Sequence, residues 1–360
     1  MNHKKIVVLL LAVCMLAISV CLERSVFAVE TTLVLYSQED CIHPDVLEAF
    51  THETGVPVEY TILEPESSTE RFTAAPEQAL CDVLLADVEQ LSQLHKQQCL
   101  TQLDDELLPN QAGIDPVFYS VPFIRDSKTS VPCLWTTMGL IYDPSLTENR
   151  VTGWSNLFQV EFSGRVIMPE DSREAYAIAL TALGFDANTN QPDEIAAAGD
   201  YLSQQMPLVM DYCSISSLEF HLSANPQLIA PCYGADAIEL MASAADLSFV
   251  VPSEGSWRKV LAYAIPSGTQ DQELAHLLID YLCQPEVLAR NAAYSGYSTV
   301  SADAYQLLDH SWQVNPLAYP TGSDWSAYSL LDSQDSQIQT DCQVRWHQLR
   351  DSWQEYHWEY

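Results

Sequence analysis

The chain has 360 residues, and its 15 Lys and Arg residues against 49 Asp and Glu residues give a formal net charge of −34 at pH 7. Such an acidic chain repels nucleic acid and anionic lipid, which argues against both as partners. Its length and its hydrophobic content of 48% are sufficient for large cores and indicate two domains rather than one.

The chain begins like an exported protein. A basic start is followed by a mainly apolar stretch over residues 6–20, which is short for a membrane span. Val26-Phe27-Ala28 has suitable residues at positions −3 and −1 of a signal peptidase site, so we expect a signal peptide over residues 1–28. Cys14 and Cys21 are each preceded by valine, which disfavours a lipid anchor. The mature chain is therefore expected to be periplasmic or extracellular.

The mature chain keeps eight cysteines. They are Cys41, Cys81, Cys99, Cys133, Cys213, Cys232, Cys283 and Cys342. An exported location permits disulfides, although buried free thiols are the other interpretation of such residues. None of the eight forms a Cys-x-x-Cys pair or stands beside a histidine at zinc-ligand spacing, so we expect no metal site and no cofactor.

Strands and helices alternate along the first three quarters of the chain. Residues 33–36 are predicted to form a strand, residues 44–53 a helix that Gly55 ends, and residues 56–60 a second strand. Further strands are predicted at residues 82–86, 134–142, 164–168, 207–212 and 247–251. Further helices are predicted at residues 88–98, from Asp171 to Gly184, and at residues 193–205 and 235–244. This order predicts an α/β protein with mostly parallel sheets.

After residue 266 the pattern becomes mainly helical. Helices are predicted at residues 272–283, 285–293, 302–308 and 341–358. The segment over residues 309–340 is rich in Ser, Asp, Gln and Pro, which predicts an irregular connection.

Two acids follow a predicted strand at a position where α/β proteins bind ligands, beyond the carboxyl ends of their strands. Asp171 and Glu174 are three residues apart at the start of a predicted helix. Such a pair can hold an organic ammonium group, but the same spacing is also a variant of the helix capping box. No Walker loop, Gly-x-Gly-x-x-Gly, Gly-x-Ser-x-Gly or His-Glu-x-x-His motif occurs, so we expect a binding protein with no catalytic residues.

Several sequence blocks occur in a characteristic order. They are Pro44-Asp-Val-Leu-Glu-Ala-Phe-Thr-His-Glu-Thr-Gly55, Val151-Thr-Gly-Trp-Ser-Asn-Leu157, Gly164-Arg-Val-Ile-Met168, Asp171-Ser-Arg-Glu174 and the turn over residues 188–195. With these blocks the chain resembles the periplasmic spermidine/putrescine-binding proteins of ABC transporters, within the extracellular solute-binding proteins. The resemblance implies a two-lobed α/β periplasmic-binding-protein fold with a ligand cleft between the lobes. Lobe 1 is expected to comprise residues 29–135 and 266–360, and lobe 2 residues 136–265.

The resemblance also implies ligand-binding residues. In that family, carboxylates at the positions of Asp171 and Glu174 receive ammonium groups of the ligand, Tyr297 matches a tyrosine near the cleft, and Gln339 matches a glutamine of the tail. The remaining candidates are strand-end residues or residues at family site positions, namely Gln38, Asp87, Glu89, Cys232 and Lys259.

Several of these positions depart from the family pattern. Gln38 and Cys41 replace a tryptophan and a tyrosine, Glu89 and Gln90 stand where aromatic residues are usual, and Cys232 replaces a tryptophan. The aromatic box that stacks on a polyamine chain and attracts its ends by cation–π interaction is therefore missing.

Two substitutions affect the charge of the cleft. Leu261 stands in place of a third aspartate that binds amines, and Lys259 in place of another tryptophan. The Lys259 ammonium could pair with Asp171 and Glu174 and fill space that an amine ligand would take, or it could project into solvent beside Arg258. We expect a monomeric substrate-binding component of an ABC importer that works with a membrane permease and takes a polyamine or related amine. The alternative is an exported sensor or non-transport binding protein of the same fold with another ligand.

Overall fold

The computed structural model describes most of the chain. The described residues are 31–37, 40–62, 71–76, 78, 80–120, 122–148, 150–214, 217–225, 227–243, 246–320, 328–331 and 334–358. The expected signal peptide over residues 1–28 and the candidate Gln38 lie outside them. Among the described residues, no helix has the length and apolar character needed to cross a membrane.

Among the described residues, seven strands match predicted strands and four were not predicted. They are β1 (Leu33–Ser37), β2 (Val58–Ile62), β3 (Val83–Asp87), β4 (Ser130–Tyr142), β5 (Val166–Pro169), β6 (Val209–Cys213), β7 (Ile229–Tyr233), β8 (Ser248–Val250), β9 (Trp257–Ala264), β10 (Ser298–Thr299) and β11 (Ser329–Leu330).

Nine of the α-helices in the described residues match predicted helices and three were not predicted, and the last helix begins within the segment that was expected to be irregular. They are α1 (Pro44–Thr54), α2 (Val88–Lys96), α3 (Pro122–Ser127), α4 (Ser172–Ala182), α5 (Pro192–Gln205), α6 (Leu218–Ala224), α7 (Gly234–Ser243), α8 (Gln272–Leu282), α9 (Pro285–Ser295), α10 (Ala302–Leu307), α11 (His310–Gln313) and α12 (Ser336–Trp358). Gly55 ends α1 with a left-handed backbone, at φ 78°, a conformation that a side chain with a Cβ rarely adopts.

The central strands correct the expectation of mostly parallel sheets. The strands follow the order β2-β1-β3-β9-β4-β7-β5-β6. At the two outer parts, β1 is parallel to β2 and β3, and β5 is parallel to β6 and β7. In the middle, β9 is antiparallel to β3 and β4, and β4 is antiparallel to β7. The antiparallel pairs arise because β4 and β9 carry the chain between the two lobes in opposite directions.

Strand β4 is the main crossing segment. Its first part pairs with β9 and its last part, from Met138 onward, pairs with β7. Every residue from Ser130 to Ile141 is buried, as expected for a strand that is covered on both faces. One continuous strand therefore supports both lobes and fixes where they meet.

Buried residues form one hydrophobic core in lobe 1 and two in lobe 2. In lobe 1, residues such as Phe50, Trp135 and Tyr263 pack around β1, β3 and β9. In lobe 2, Trp154 and Tyr176 belong to a core on one face of the sheet. A third cluster covers the other face of the lobe 2 sheet, with residues from β5, β7 and α7. This arrangement gives the two-lobed α/β architecture that the sequence predicted.

The terminal helix α12 packs with lobe 2, whereas the expected boundary placed residues 266–360 in lobe 1. Trp346 belongs to the lobe 2 core, and its indole N–H donates to the carbonyl of Glu170 at 2.8 Å. Farther along the helix, the Trp353 indole donates to the carbonyl of Val209 at 3.0 Å. Glu170 directly follows β5, and Val209 is the first residue of β6. The carbonyl groups at these strand ends thus accept the hydrogen bonds that the two indole N–H groups need.

Candidate ligand-binding site

Two helices that begin at the ends of strands are capped in the same way. Asp87, the last residue of β3, accepts a hydrogen bond from the N–H of Gln90 at 2.8 Å and caps α2. Asp171 follows β5, accepts from the N–H of Glu174 at 2.9 Å and caps α4. The capping interpretation of Asp171 is therefore confirmed. It is compatible with ligand binding, because a carboxylate can accept several hydrogen bonds.

The acids of these two helix starts influence one another, although they belong to different lobes. Burial, followed by the charge of Asp87 in the same lobe, raises the pKa of Glu89 from 4.5 to about 8, and the charges of Asp171 and Glu174 in lobe 2 add to this rise. Burial and the charge of Asp171 raise the pKa of Glu174 to about 7, and Asp87 contributes from lobe 1. The four carboxyl groups at these two helix starts thus influence one another's ionisation across the junction of the lobes, and we refer to them together as the cluster.

The acids of the cluster are reached by water to different degrees. Asp171 is exposed to water, and Asp87, Glu89 and Glu174 are half-buried. Yet loss of bulk solvation is the largest cause that raises the pKa of Asp171. A side chain that water reaches and that still loses part of its solvation stands in a partly enclosed position. We therefore interpret the junction as a cleft lined by carboxyl groups.

Tyr233 and Lys259 complete one side of this cluster. The Tyr233 hydroxyl donates a hydrogen bond to Glu174 Oε1 at 2.6 Å. Lys259 Nζ lies over the Tyr233 ring, 5.2 Å from the ring centroid, which is within the range of a cation–π contact. The positive charge of Lys259 lowers the pKa of Glu174 against the larger effects that raise it. Of the two alternatives for Lys259, the structure therefore favours the one in which its ammonium faces the acids.

The register of β3 and β9 places Leu261 directly opposite Asp87. Leu261 is buried, and Lys259 is two residues before it, so both side chains leave the same face of β9. The position where the resemblance implied a third acid is thus apolar, and the nearest charged side chain on this strand face is a cation.

Cys232 is placed in the core. Its side chain is fully buried in the third hydrophobic cluster, and its thiol donates to the carbonyl of Tyr233 at 3.3 Å. Because successive side chains of a strand point to opposite faces, the next residue, Tyr233, points to the acids. Sequence reasoning missed Tyr233. The signal that could have found it is its position as the last residue of a buried strand just before α7.

The remaining residues singled out from the sequence lie in the lobe 1 core or in α12. Tyr297 is buried in the lobe 1 core, as is Cys41. Gln339 is half-buried in the first turns of α12, where its N–H donates to the carbonyl of Asp335 at 2.8 Å. In the described part of the chain, all eight cysteines are free thiols. Within the same part, no three His, Cys, Asp or Glu side chains converge closely enough to hold a metal ion.

Comparison with known proteins agrees with this architecture. A model of the bacterial extracellular solute-binding protein family matches residues 45–321. The spermidine/putrescine-binding periplasmic protein of Escherichia coli is 27% identical over 291 residues, which cover 80% of this chain and 83% of that protein. The putrescine/agmatine-binding protein of Pseudomonas aeruginosa is 26% identical over 314 residues, which cover 82% of this chain and 85% of that protein.

A solved structure shows the same fold. The spermidine/putrescine ABC transporter substrate-binding protein PotD of Streptococcus pneumoniae superposes with a TM-score of 0.79 at 23% identity, over 89% of this chain and 100% of that chain. The family match covers well over half of the sequence. The chain therefore belongs to the bacterial extracellular solute-binding proteins and has their two-lobed fold.

Proposed function

We propose that the protein is the substrate-binding component of an ABC importer and captures a small organic amine, of the class that includes polyamines, between its lobes. The observation that supports this most directly is that Asp87 and Glu89 of lobe 1 and Asp171 and Glu174 of lobe 2 influence one another's pKa values, while Tyr233 and Lys259 stand beside Glu174. The two relatives compared above are named as a spermidine/putrescine-binding protein and a putrescine/agmatine-binding protein, and these ligands are amines as well.

The cluster has an electrostatic reason to bind a cation. Burial, followed by repulsion from neighbouring carboxylates, raises the pKa of Glu89 to about 8 and that of Glu174 to about 7 from the ordinary value of 4.5. A ligand ammonium between the acids replaces this repulsion by attraction and by charge-assisted hydrogen bonds. Binding then favours the carboxylate form of both glutamates.

The same charges link ligand capture to closure of the lobes. Without a cation, the acids of the two lobes oppose close approach. With one, both lobes are attracted to the ligand, so the closed arrangement is stabilised only when the ligand is present. A permease that recognises the closed arrangement would then receive loaded protein. This coupling is what a transport component requires, and no covalent step is involved.

Calorimetry on the chain from residue 29 onward tests the proposal. Butylamine and putrescine are titrated beside 1-butanol and 1,4-butanediol, which have the same carbon chain without the ammonium groups. We expect at least one amine to bind and both alcohols to give no measurable heat. The proposal fails if neither amine binds, or if an alcohol binds as tightly as the matching amine.

A variant pair locates the site. Glu174→Gln removes a first-turn carboxylate of α4 in the cluster, and we expect at least a tenfold loss of amine affinity. Glu273→Gln is the matched control, because Glu273 is an exposed acid in the first turn of α8 in lobe 1. Equal losses in both variants would show that overall charge, rather than the cluster, determines affinity.

A further inference from the structure

A positively charged side chain of the protein already stands beside one acid of the cleft. Lys259 Nζ lies 5.2 Å from the centroid of the Tyr233 ring, and the Tyr233 hydroxyl is hydrogen-bonded to Glu174. An aromatic face and a carboxylate are the two groups that a ligand ammonium would use here. The Lys259 ammonium therefore occupies the kind of position that one end of a diamine would take.

The backbone of Lys259 is firmly held. Its neighbours Trp257 and Val260 are each 1% exposed, and the Trp257 indole stacks on Trp154 with ring centroids 5.3 Å apart. Lys259 itself pairs with Thr136 across β9 and β4, the two strands that cross between the lobes. Because the strand cannot shift without disturbing both cores, the backbone position from which the Lys259 side chain extends is fixed.

The other cation near the cluster is engaged elsewhere. The guanidinium of Arg173 donates to the carbonyl of Ala187 at 3.0 Å and to Asn188 Oδ1, and its side chain is buried. Its charge lowers the pKa of Glu89 and of Asp171, but its hydrogen bonds direct it into lobe 2. Lys259 is thus the cation placed on the Tyr233 and Glu174 side of the cleft.

We propose that Lys259 determines ligand specificity by taking the place of one ligand ammonium beside Tyr233 and Glu174, so that the cleft selects amines with a single ammonium group over diamines and longer polyamines. This inference rests on the proposed function and narrows its ligand class. A single ammonium would be received by the remaining acids, Asp87, Glu89 and Asp171. A second ammonium would be placed near that of Lys259, and two like charges repel strongly in a desolvated site.

Leu261 adds to this effect. The position opposite Asp87 is held by the buried side chain of Leu261, which offers no charge to a second ammonium. The lysine and the leucine thus act in the same direction, since one repels the second ammonium and the other fails to attract it.

Calorimetric titration with butylamine and putrescine tests this inference, because the two ligands have the same carbon chain and differ by one ammonium group. We expect the wild-type protein to bind butylamine at least tenfold more tightly than putrescine. In Lys259→Met we expect the ratio of putrescine affinity to butylamine affinity to increase at least tenfold. Lys128→Met removes the same charge from an exposed ion pair with Asp105 in lobe 1 and should leave the ratio unchanged.

The outcomes separate this inference from the proposed function. If the wild-type protein binds putrescine as tightly as butylamine or more tightly, the specificity role is wrong while amine capture stands. If the ratio of the two affinities in Lys259→Met equals that of the wild-type protein, the specificity role is likewise wrong while amine capture stands. If neither amine binds, the proposed function fails and this inference fails with it. If circular dichroism shows that Lys259→Met is unfolded, Lys259→Gln replaces it. The comparison of butylamine with putrescine in the wild-type protein needs no variant.

Discussion

Tyr233 and Glu174 are joined by a hydrogen bond of 2.6 Å that links the end of β7 to the first turn of α4. Burial, the charge of Glu174 and the hydrogen bond to it raise the pKa of Tyr233 well above its ordinary value. The phenol therefore stays protonated and acts as a donor at neutral pH. This donor orients the carboxylate and stabilises its charged form.

Tyr233→Phe removes this donor and leaves the ring in place. The pKa of Glu174 should then rise further above about 7, because a hydrogen bond to the charged form is lost. We expect amine affinity at pH 8 to fall about tenfold, which corresponds to about 1.4 kcal/mol. Calorimetry measures the loss.

The matched control is Tyr294→Phe, which removes a tyrosine hydroxyl that donates to Asp40 Oδ2 at 2.8 Å in lobe 1. Affinity should be unchanged in this variant. A Tyr233→Phe protein with wild-type affinity would show that the hydroxyl is not part of the binding site.

The stability of the ligand-free protein should depend on pH through the two glutamates. Their pKa values are raised from 4.5 to about 7 for Glu174 and about 8 for Glu89, so between these limits the folded protein binds more protons than the unfolded chain. The corresponding stabilisation is complete below about pH 4.5 and is lost as the pH rises through 7 and 8. We expect Tm to decrease from pH 5 to pH 9.

The double variant Glu89→Gln/Glu174→Gln provides the reference for this measurement, because glutamine keeps the shape of the glutamate side chain but does not titrate. The decrease of Tm with pH should be shallower in the double variant, while repulsion among the many other acids affects both proteins alike. Parallel Tm curves for the two proteins would contradict the raised pKa values.

Cys232→Trp tests whether an aromatic ring at this position can return to the cleft. Cys232 is fully buried in the third hydrophobic cluster, so a larger side chain must displace its neighbours. We expect a loss of about 1–3 kcal/mol of unfolding free energy or more, measured in urea, and no gain in amine affinity. Cys232→Ala, which only removes volume, is the comparison. Wild-type stability together with tighter amine binding in Cys232→Trp would contradict the placement of this side chain.

Trp346→Ala tests the packing of α12 against lobe 2. Trp346 is 1% exposed and donates to the carbonyl of Glu170, the residue before Asp171. Its truncation should lower the free energy of unfolding by about 3–5 kcal/mol, as measured by denaturant titration. Trp312→Ala, at a half-buried tryptophan of lobe 1, should cost clearly less. Equal costs would argue against a central role of α12 in the lobe 2 core.

Local sequence patterns were sufficient for most of the secondary structure. The helix that starts after Asp171 and the glycine that ends α1 were predicted from short-range rules, because capping and left-handed turns involve only a few neighbouring residues. The mixed sheet was not predicted. Strand direction depends on how the chain returns between lobes, and the alternation of strands and helices does not contain that information.

The site was predicted in part. Asp171, Glu174, Asp87, Glu89 and Lys259 were identified as candidates and lie in one region, although their binding role remains a prediction. Tyr233 was missed in favour of Cys232, because a shift of one residue along a strand moves a side chain to the opposite face. Only the pairing of β7 in the sheet determines which of the two faces the acids.

The sequence by itself determined the family, the two-lobed α/β fold and the presence of acids after the strands, since each of these depends on motifs or periodicities within short segments. The tertiary structure decided that the acids of both lobes influence one another's ionisation, that Lys259 lies over the Tyr233 ring beside Glu174 and that α12 completes lobe 2. These relationships join residues far apart in the chain, such as Glu89 with Glu174 and Glu170 with Trp346. Such contacts depend on how whole elements pack against one another, and no local pattern encodes that packing.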